Sequence, residues 1–431
     1  MKKILEKALC EAEEAEVYRE EFQNTTVSFQ SNRLKSLDNS FGEGIGLRVI
    51  KNGKIGFSSI TNKEDADFLV KSAISSSSIG ENAFFKFPPS PSKIPRVKCF
   101  DPDILSLPVE KMIDEGERTI KAILKEFPHL QCEAEIDKTI VKISILNSAG
   151  LSFSYEKTFY SFFIYAFQAQ EGDFLGVGEE NSSCKYHDWS EILVQKIVDK
   201  IKLSQKRATI EKGVYPVIFT SKAMPAIFSP LKRGINGKFV HKKVSPLFLK
   251  LNQKIVSPDL TIVDDATFPY ARASSPVDGE GVPSRKTFII KNGVLKNFIY
   301  DLQTAGLMKT KTTANAARDY DSLPSPSTTN FIISPGEFSL EEMIKDIKEG
   351  LIVDQVIGAG QSNVLMGEFS VNLDLGFKVE NGKIKGRIKD VMATGNVYEL
   401  LSNIRGIGKE AIFVGSNYTP PFYFAKINIA A

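Results

Sequence analysis

Two polar clusters hold most of the side chains in this chain that could do chemistry. The first runs Ala273-Ser-Ser-Pro-Val-Asp-Gly-Glu-Gly-Val-Pro-Ser-Arg285 and contributes Asp278, Glu280 and Arg285. Two carboxylates and a guanidinium in a turn-rich loop suit binding or acid–base work, although a solvated loop is the simpler reading. The second, Thr312-Thr-Ala-Asn-Ala-Ala-Arg318, places Asn315 among small residues. Small side chains leave backbone donors and acceptors open to an extended peptide, and close packing of two backbones accounts for them equally well. A basic group, Lys232, Arg233, Lys238, Lys242 and Lys243, is either a solvated surface or a seat for a peptide carboxylate or an acidic partner.

Other catalytic signatures are missing. The three histidines, His129, His187 and His241, are each more than 50 residues apart, so none has the helical-turn partner of a common zinc site. There is no Gly-x-Ser-x-Gly elbow. Cys132 and His129 are neighbours without an evident orienting group, which reads as a chance pairing. Gly42, Gly44 and Gly46 lack the Lys-Ser/Thr of a phosphate loop and lead into a strand, so they read as bulge or close-packing positions. The four cysteines, Cys10, Cys99, Cys132 and Cys184, form no Cys-x-x-Cys pair and read as reduced thiols.

With 431 residues, the chain has room for two domains, and a net charge of +3 gives no footprint for nucleic acid. Glu6 and Lys7 break the first apolar run, and no window approaches the ~18 apolar residues of a membrane span, so a cytoplasmic protein without membrane contact is expected.

The elements that must position these residues fall into two halves. From 1 to 207 an order occurs twice: helix, strand meander, helix. Ile4, Leu5, Ala8 and Leu9 open the first unit. Strands follow at Glu16–Phe22, Thr25–Leu37 and Gly44–Ile60, with a hairpin at Asn52-Gly53, and a helix starts near Asn62 with Glu64, Asp65 and Asp67 in its first turns and Phe68, Leu69 and Ala73 inward. Residues 80–106, rich in Pro and Ser, read as a connector. The second unit has a helix marked by Met112, Ile120 and Ile123, strands at Ala134–Leu146, Leu151–Tyr155 and Tyr160–Ala169, and a helix over Trp189–Leu203. An old duplication and a coincidence of alternating elements both remain open.

From 208 to 431 strands dominate, at Val214–Thr220, Thr287–Ile290, Leu295–Ile299, Asn330–Ile333, Val364–Leu375 and Phe377–Val391, with tight turns at Asn292-Gly293 and Asn381-Gly382. Ser221–Arg233 reads as a weak helix interrupted by Pro225 and Pro230. Ser339 and Glu342 form a capping box for a helix that Gly350 ends. The expected fold class is α+β, a domain of two helix–antiparallel meander–helix units followed by a mostly antiparallel sheet or barrel.

Taken in order, the motifs resemble the TldD/PmbA family, also called TldD/TldE and formerly described as modulators of DNA gyrase. The resemblance rests on Gly44 to Phe57, Ser275-Pro-Val-Asp-Gly-Glu-Gly-Val282, Thr313-Ala-Asn-Ala316, Gly358-x-Gly-Gln-Ser-Asn363, Gly367-Glu-Phe-Ser370, Gly376 to Gly382 and Thr394-Gly-Asn396. Ala314 departs from it, because the family often has Gly there. The resemblance implies two branches, a zinc metalloprotease with an H-E-x-x-x-H helix and a later Cys ligand, and a PmbA/TldE-like branch without them. Aligned on Gly234-Ile-Asn-Gly-Lys-Phe239, the two His positions fall on Phe228 and Arg233 and the Glu on Ser229, and no Cys follows Cys184. The resemblance therefore implies a metal-free, non-catalytic subunit of a metallopeptidase complex that acts on extended peptides. Zinc is then expected only in a TldD-like partner, and the isolated chain has the option of a homodimer. A stand-alone peptidase using Asp278, Glu280 or a distributed site, and a homodimeric scaffold, are the rivals. Arg233, Lys238, Asp278, Glu280, Arg285, Asn315 and Asn363 are the contact candidates.

Overall fold

The computed structural model describes residues 1–61, 65–170, 172–358 and 362–430. The expected helix start at Asn62 and Glu64, and Ala359, Gly360 and Gln361 of the glycine-rich run, lie outside them.

The first half contains α1 (Lys2–Leu9), β1 (Glu14–Gln30), β2 (Arg33–Lys51), β3 (Lys54–Ile60) and α2 (Ala66–Ser76). A short α3 (Pro102–Leu105) precedes α4 (Val109–Glu126), β4 (Gln131–Asn147), β5 (Ser152–Gln170), β6 (Asp173–Ser183) and α5 (Ser190–Ser204). The two units do not make two sheets. They join in one antiparallel six-stranded sheet ordered β3-β2-β1-β4-β5-β6, symmetric about the β1–β4 pair. Helices α1 and α2 cover one end through Ile4, Leu5, Leu69, Val70 and Ala73, and α4 and α5 cover the other through Met112, Ile120, Ile123, Leu193 and Ile197.

Several expected strand limits change. β1 runs straight through residues 23–24 and turns instead at Ser31-Asn32, both with positive φ, so no Gly marks the turn. The two strands expected over 151–155 and 160–169 form one strand, β5, which begins at Ser152, and β6 was not expected at all. Phe68 points outward, 64% exposed, while Val70 takes the inward position. Gly44 and Gly46 are close-packing positions without a bulge: a Cβ at Gly44 would lie 2.1 Å from the Tyr320 ring, and one at Gly46 2.3 Å from the Tyr320 carbonyl.

The second half opens with β7 (Gly213–Phe219), α6 (Met224–Gly234), α7 (Gly237–His241), β8 (Ile262–Asp265), β9 (Lys286–Lys291), β10 (Val294–Leu295) and α8 (Leu302–Leu307). It continues with β11 (Ala316–Ala317), β12 (Ser325–Pro326), β13 (Phe331–Ile333), α9 (Leu340–Lys345), β14 (Glu349–Ile357), β15 (Glu368–Glu380) and β16 (Lys383–Ile388). Last come β17 (Met392–Asn396), α10 (Val397–Ser402), β18 (Ile404–Ile407), β19 (Ile412–Val414), β20 (Asn417–Thr419) and β21 (Phe422–Ala430). Strands β14, β7, β21, β17 and β15 pair in that order, and β14 pairs with β15 again, which closes a five-stranded barrel. A second sheet, β10-β9-β8-β13-β20-β19, packs with α6 on the same core through Phe228, Phe331 and Phe422.

The turns at Asn52-Gly53, Asn292-Gly293 and Asn381-Gly382 have positive φ at both residues, as type I′ hairpins require. The Ser339–Glu342 capping box is present, but α9 ends at Lys345 and Gly350 belongs to β14. Val364–Met366 is a 3₁₀ turn where a strand was expected. Helix α6 is continuous through Pro230, contrary to the expected break. Pro225 sits in its first turn, where no hydrogen bond is lost, and burial of Ile227, Phe228, Pro230 and Leu231 offsets the bond that Pro230 forgoes. Among the described residues no helix is long and apolar enough to cross a membrane.

Candidate functional site

The seam between the halves is built on buried charge. Arg48 stands in β2 among aliphatic residues, 2% exposed, and its guanidinium reaches Glu16 Oε1 at 3.0 Å and Glu280 Oε1 at 2.7 Å. Arg318 reaches the same Glu16 oxygen at 2.6 Å. The guanidinium of Arg48 lies 4.7 Å and 4.9 Å from the ring centres of Phe85 and Phe87, and that of Arg318 lies 4.5 Å from Tyr18. Glu16 and Arg48 come from the first half, Glu280 and Arg318 from the second, so the network ties the two together.

The polar loop and the small-residue segment meet here. Asp278 accepts backbone N–H groups from Glu280 at 2.9 Å, Val282 at 3.0 Å and Ala316 at 3.1 Å. Glu280 also accepts the Leu302 N–H at 2.7 Å. The Gly279 N–H donates to the Ala316 carbonyl at 2.8 Å, so two backbones pack face to face. Arg285 donates to the carbonyls of Thr312 and Thr313. Asn315 donates to Asp264 Oδ1 at 2.8 Å and to the Ser327 carbonyl at 3.0 Å. Ala314 has φ +59°, the left-handed region that explains why a glycine suits this position. Burial raises the carboxyls of Asp278, Glu280 and Asp301, and Asp278 and Glu280 raise further because each has carboxylate neighbours.

Four of the expected contact residues, Asp278, Glu280, Arg285 and Asn315, therefore lie on the two segments that meet here: both carboxylates are buried and hydrogen-bonded, Arg285 is exposed and bonds two carbonyls, and Asn315 uses its amide N–H groups while its buried oxygen has no partner among the described residues. Arg233, Lys238 and Asn363 are exposed and lie elsewhere, on α6, on α7 and just before the 3₁₀ turn. The basic group splits. Lys232 turns inward, donates to Asn417 Oδ1 and lies 4.8 Å from the Phe331 ring centre. Burial pushes its ammonium down to about 8 and pushes Asp264 up to about 6. Lys238, His241 and Lys242 stay exposed and line a cavity of about 510 Å³ whose inner residues include Arg48 and Asp301. Sequence reasoning did not single out Glu16, Arg48, Asp301 or Asp264. The one available signal was Arg48, a lone cation in the run Gly-Leu-Arg-Val-Ile.

Helix α6 places Phe228 in the core, its ring 5.7 Å from that of Phe331 and 5.6 Å from that of Phe422, while Arg233 is exposed. Residues five apart on a regular helix point roughly 140° apart, so the two positions face different surroundings. Phe228, Ser229 and Arg233 do not fit a zinc ion. Among the described residues no three His, Cys, Asp or Glu side chains are grouped to hold a metal.

Two family models match the chain. The PmbA/TldA metallopeptidase C-terminal domain covers residues 212–431 and domain 1 of the same family covers 15–77. The chain belongs to the PmbA/TldD family. It is similar to Methanocaldococcus jannaschii protein MJ0231, 30% identical over 406 residues that span 93% of this chain and 92% of that one. A Buchnera aphidicola relative named Metalloprotease PmbA homolog is 28% identical over 434 residues, 92% of this chain and 88% of that protein. The crystal structure of TldE from Thermococcus kodakarensis superposes with a TM-score of 0.93 over 100% of both chains at 24% identity, which establishes the shared fold.

Proposed function

We propose that this PmbA/TldD-family chain is the metal-free, TldE-like subunit of a two-component peptidase. It completes a chamber or clamp around an extended peptide in the cytoplasm, and a TldD-like partner carries the zinc and makes the cut. The observation that carries the reading is helix α6. Where the catalytic branch needs His, Glu and His, this helix has Phe228 packed in the core, Ser229, and Arg233 in water. A buried phenyl ring, a hydroxyl and a guanidinium supply neither zinc ligands nor a carboxylate base.

The stand-alone peptidase is the weaker reading, because Asp278 and Glu280 spend their oxygens on backbone N–H groups and on Arg48. The exposed Arg233 and Lys238 support contact with a peptide or an acidic partner surface. Metal analysis of the pure chain and peptide cleavage with and without a co-expressed TldD-like subunit form the test. Cleavage only in the pair, with no bound zinc on this chain, is expected. About one tightly held zinc per chain, or cleavage by the chain alone in chelator, overturns the reading.

A further inference from the structure

The cavity beside α7 combines both signs of charge with apolar walls. At its mouth are the exposed Lys238, His241 and Lys242, together with Glu81. Phe84 and Leu323 also line it and are 51% and 46% exposed, large apolar side chains open to water with no covering element. Leu307, Pro324 and Pro326 continue the apolar lining, and Asp301 is among its buried residues. Asp301 is 2% exposed. Its Oδ1 is taken by the N–H and hydroxyl of Thr304, at 2.7 Å and 2.6 Å, whereas its Oδ2 accepts no hydrogen bond among the described residues.

Charge counting around Asp301 is lopsided. Glu16, Glu280 and Asp301 are buried carboxyl groups, and among the described residues Arg48 and Arg318 are the cations buried beside them. Arg48 is shared among all three, bonded to Glu16 and Glu280 and close enough to attract Asp301 as well. A buried carboxylate without its own cation is costly, and an incoming ammonium group relieves it. The mouth leans the other way, with two ammonium groups and an imidazole facing water against the single carboxylate of Glu81. A volume of about 510 Å³ suits a ligand of a few residues.

The geometry points to a binding site for a short peptide with free termini and apolar side chains, its ammonium at Asp301, its carboxylate at Lys238 and Lys242, and its apolar groups against Phe84, Leu307 and Leu323. This rests on the peptide-handling reading above and adds the ligand class: small fragments of the kind that peptide cleavage releases, held on this subunit instead of at a zinc centre.

Calorimetric titration of the full chain with the tripeptide Leu-Ala-Leu tests it, alongside the Nα-acetylated and the C-amidated forms. The free tripeptide should bind, and each blocked form should bind at least about tenfold more weakly, the scale of one lost charge contact. Lys238→Glu with Lys242→Glu should weaken the free tripeptide by about tenfold or more while keeping the preference for a free amine. Asp301→Asn, which can still cap α8, should abolish the preference for the free amine over the acetylated form. Equal binding of free and blocked peptides, or no binding at millimolar concentration, overturns the site. Should Asp301→Asn fail to fold, the comparison of blocked peptides on the unaltered chain decides alone. Loss of this binding with partner-dependent cleavage intact rejects the site without touching the two-component reading.

Discussion

Arg48 is the side chain on which the seam depends most directly, since among the described residues it alone bridges Glu16 and Glu280. Arg48→Ala leaves two carboxylates buried against fewer cations, and a loss of about 3–5 kcal/mol is expected in urea unfolding. A loss below about 1 kcal/mol would show that water already screens the network. Asp264 makes a pH-dependent contribution. Burial holds its carboxyl at about 6 in the folded chain, above the ordinary 3.8. Below about pH 4 both folded and unfolded chains hold the proton; between about 4 and 6 only the folded chain does, so this stabilisation declines with rising pH and is gone above 6. Denaturation midpoints at pH 4, 5, 6 and 7 should show that slope, and Asp264→Asn should flatten it while lowering stability overall. None of these side chains was legible as a partner of another in the sequence, because Arg48 and Glu280 are 232 positions apart and only the fold brings them together. Asp278 and Glu280 stood out by residue type, but type alone does not tell a carboxylate aimed at a substrate from one that holds a loop.

At the scale of elements, local chemistry was legible where it is self-sufficient. The Asn-Gly hairpins and the Ser339–Glu342 box each carry their own geometry, so they formed where expected. Long strands were harder, because residues 38–43, polar but for Phe41 and Gly42, look like loop yet pair along β1 in unbroken register. Tertiary pairing overrides weak propensity there. Helix α6 is the reverse case, since a proline rule predicted a break and core burial prevented it. Pro230→Ala should restore a helical hydrogen bond at a modest cost in packing, for a net gain on the order of 1 kcal/mol in thermal or chemical unfolding. A loss would mean that the proline ring itself is essential to the packing around Phe228.

At the scale of the molecule, the halves share more than the charged seam. The cluster under α4 and α5 continues into barrel residues Ile218, Ile352, Leu375, Phe377 and Tyr423. Asp173 on the first half also receives Arg387 of the second, at 2.6 Å. One cooperative transition is expected. Trp189, the single tryptophan, lies in the first half, so its fluorescence should change together with far-UV circular dichroism of the whole chain. Separate midpoints would mean that the seam yields before either core. The repeated helix–meander–helix order was visible in the sequence, but the joining of its two copies was not, since nothing local specifies which strand edges meet. A lone unit would carry β1 as a long open edge, a template for pairing with any similar strand. Here the matching edge of β4 occupies it from Glu16 to Phe29. Because both edges belong to one chain, their pairing does not weaken on dilution, as an association between separate molecules would.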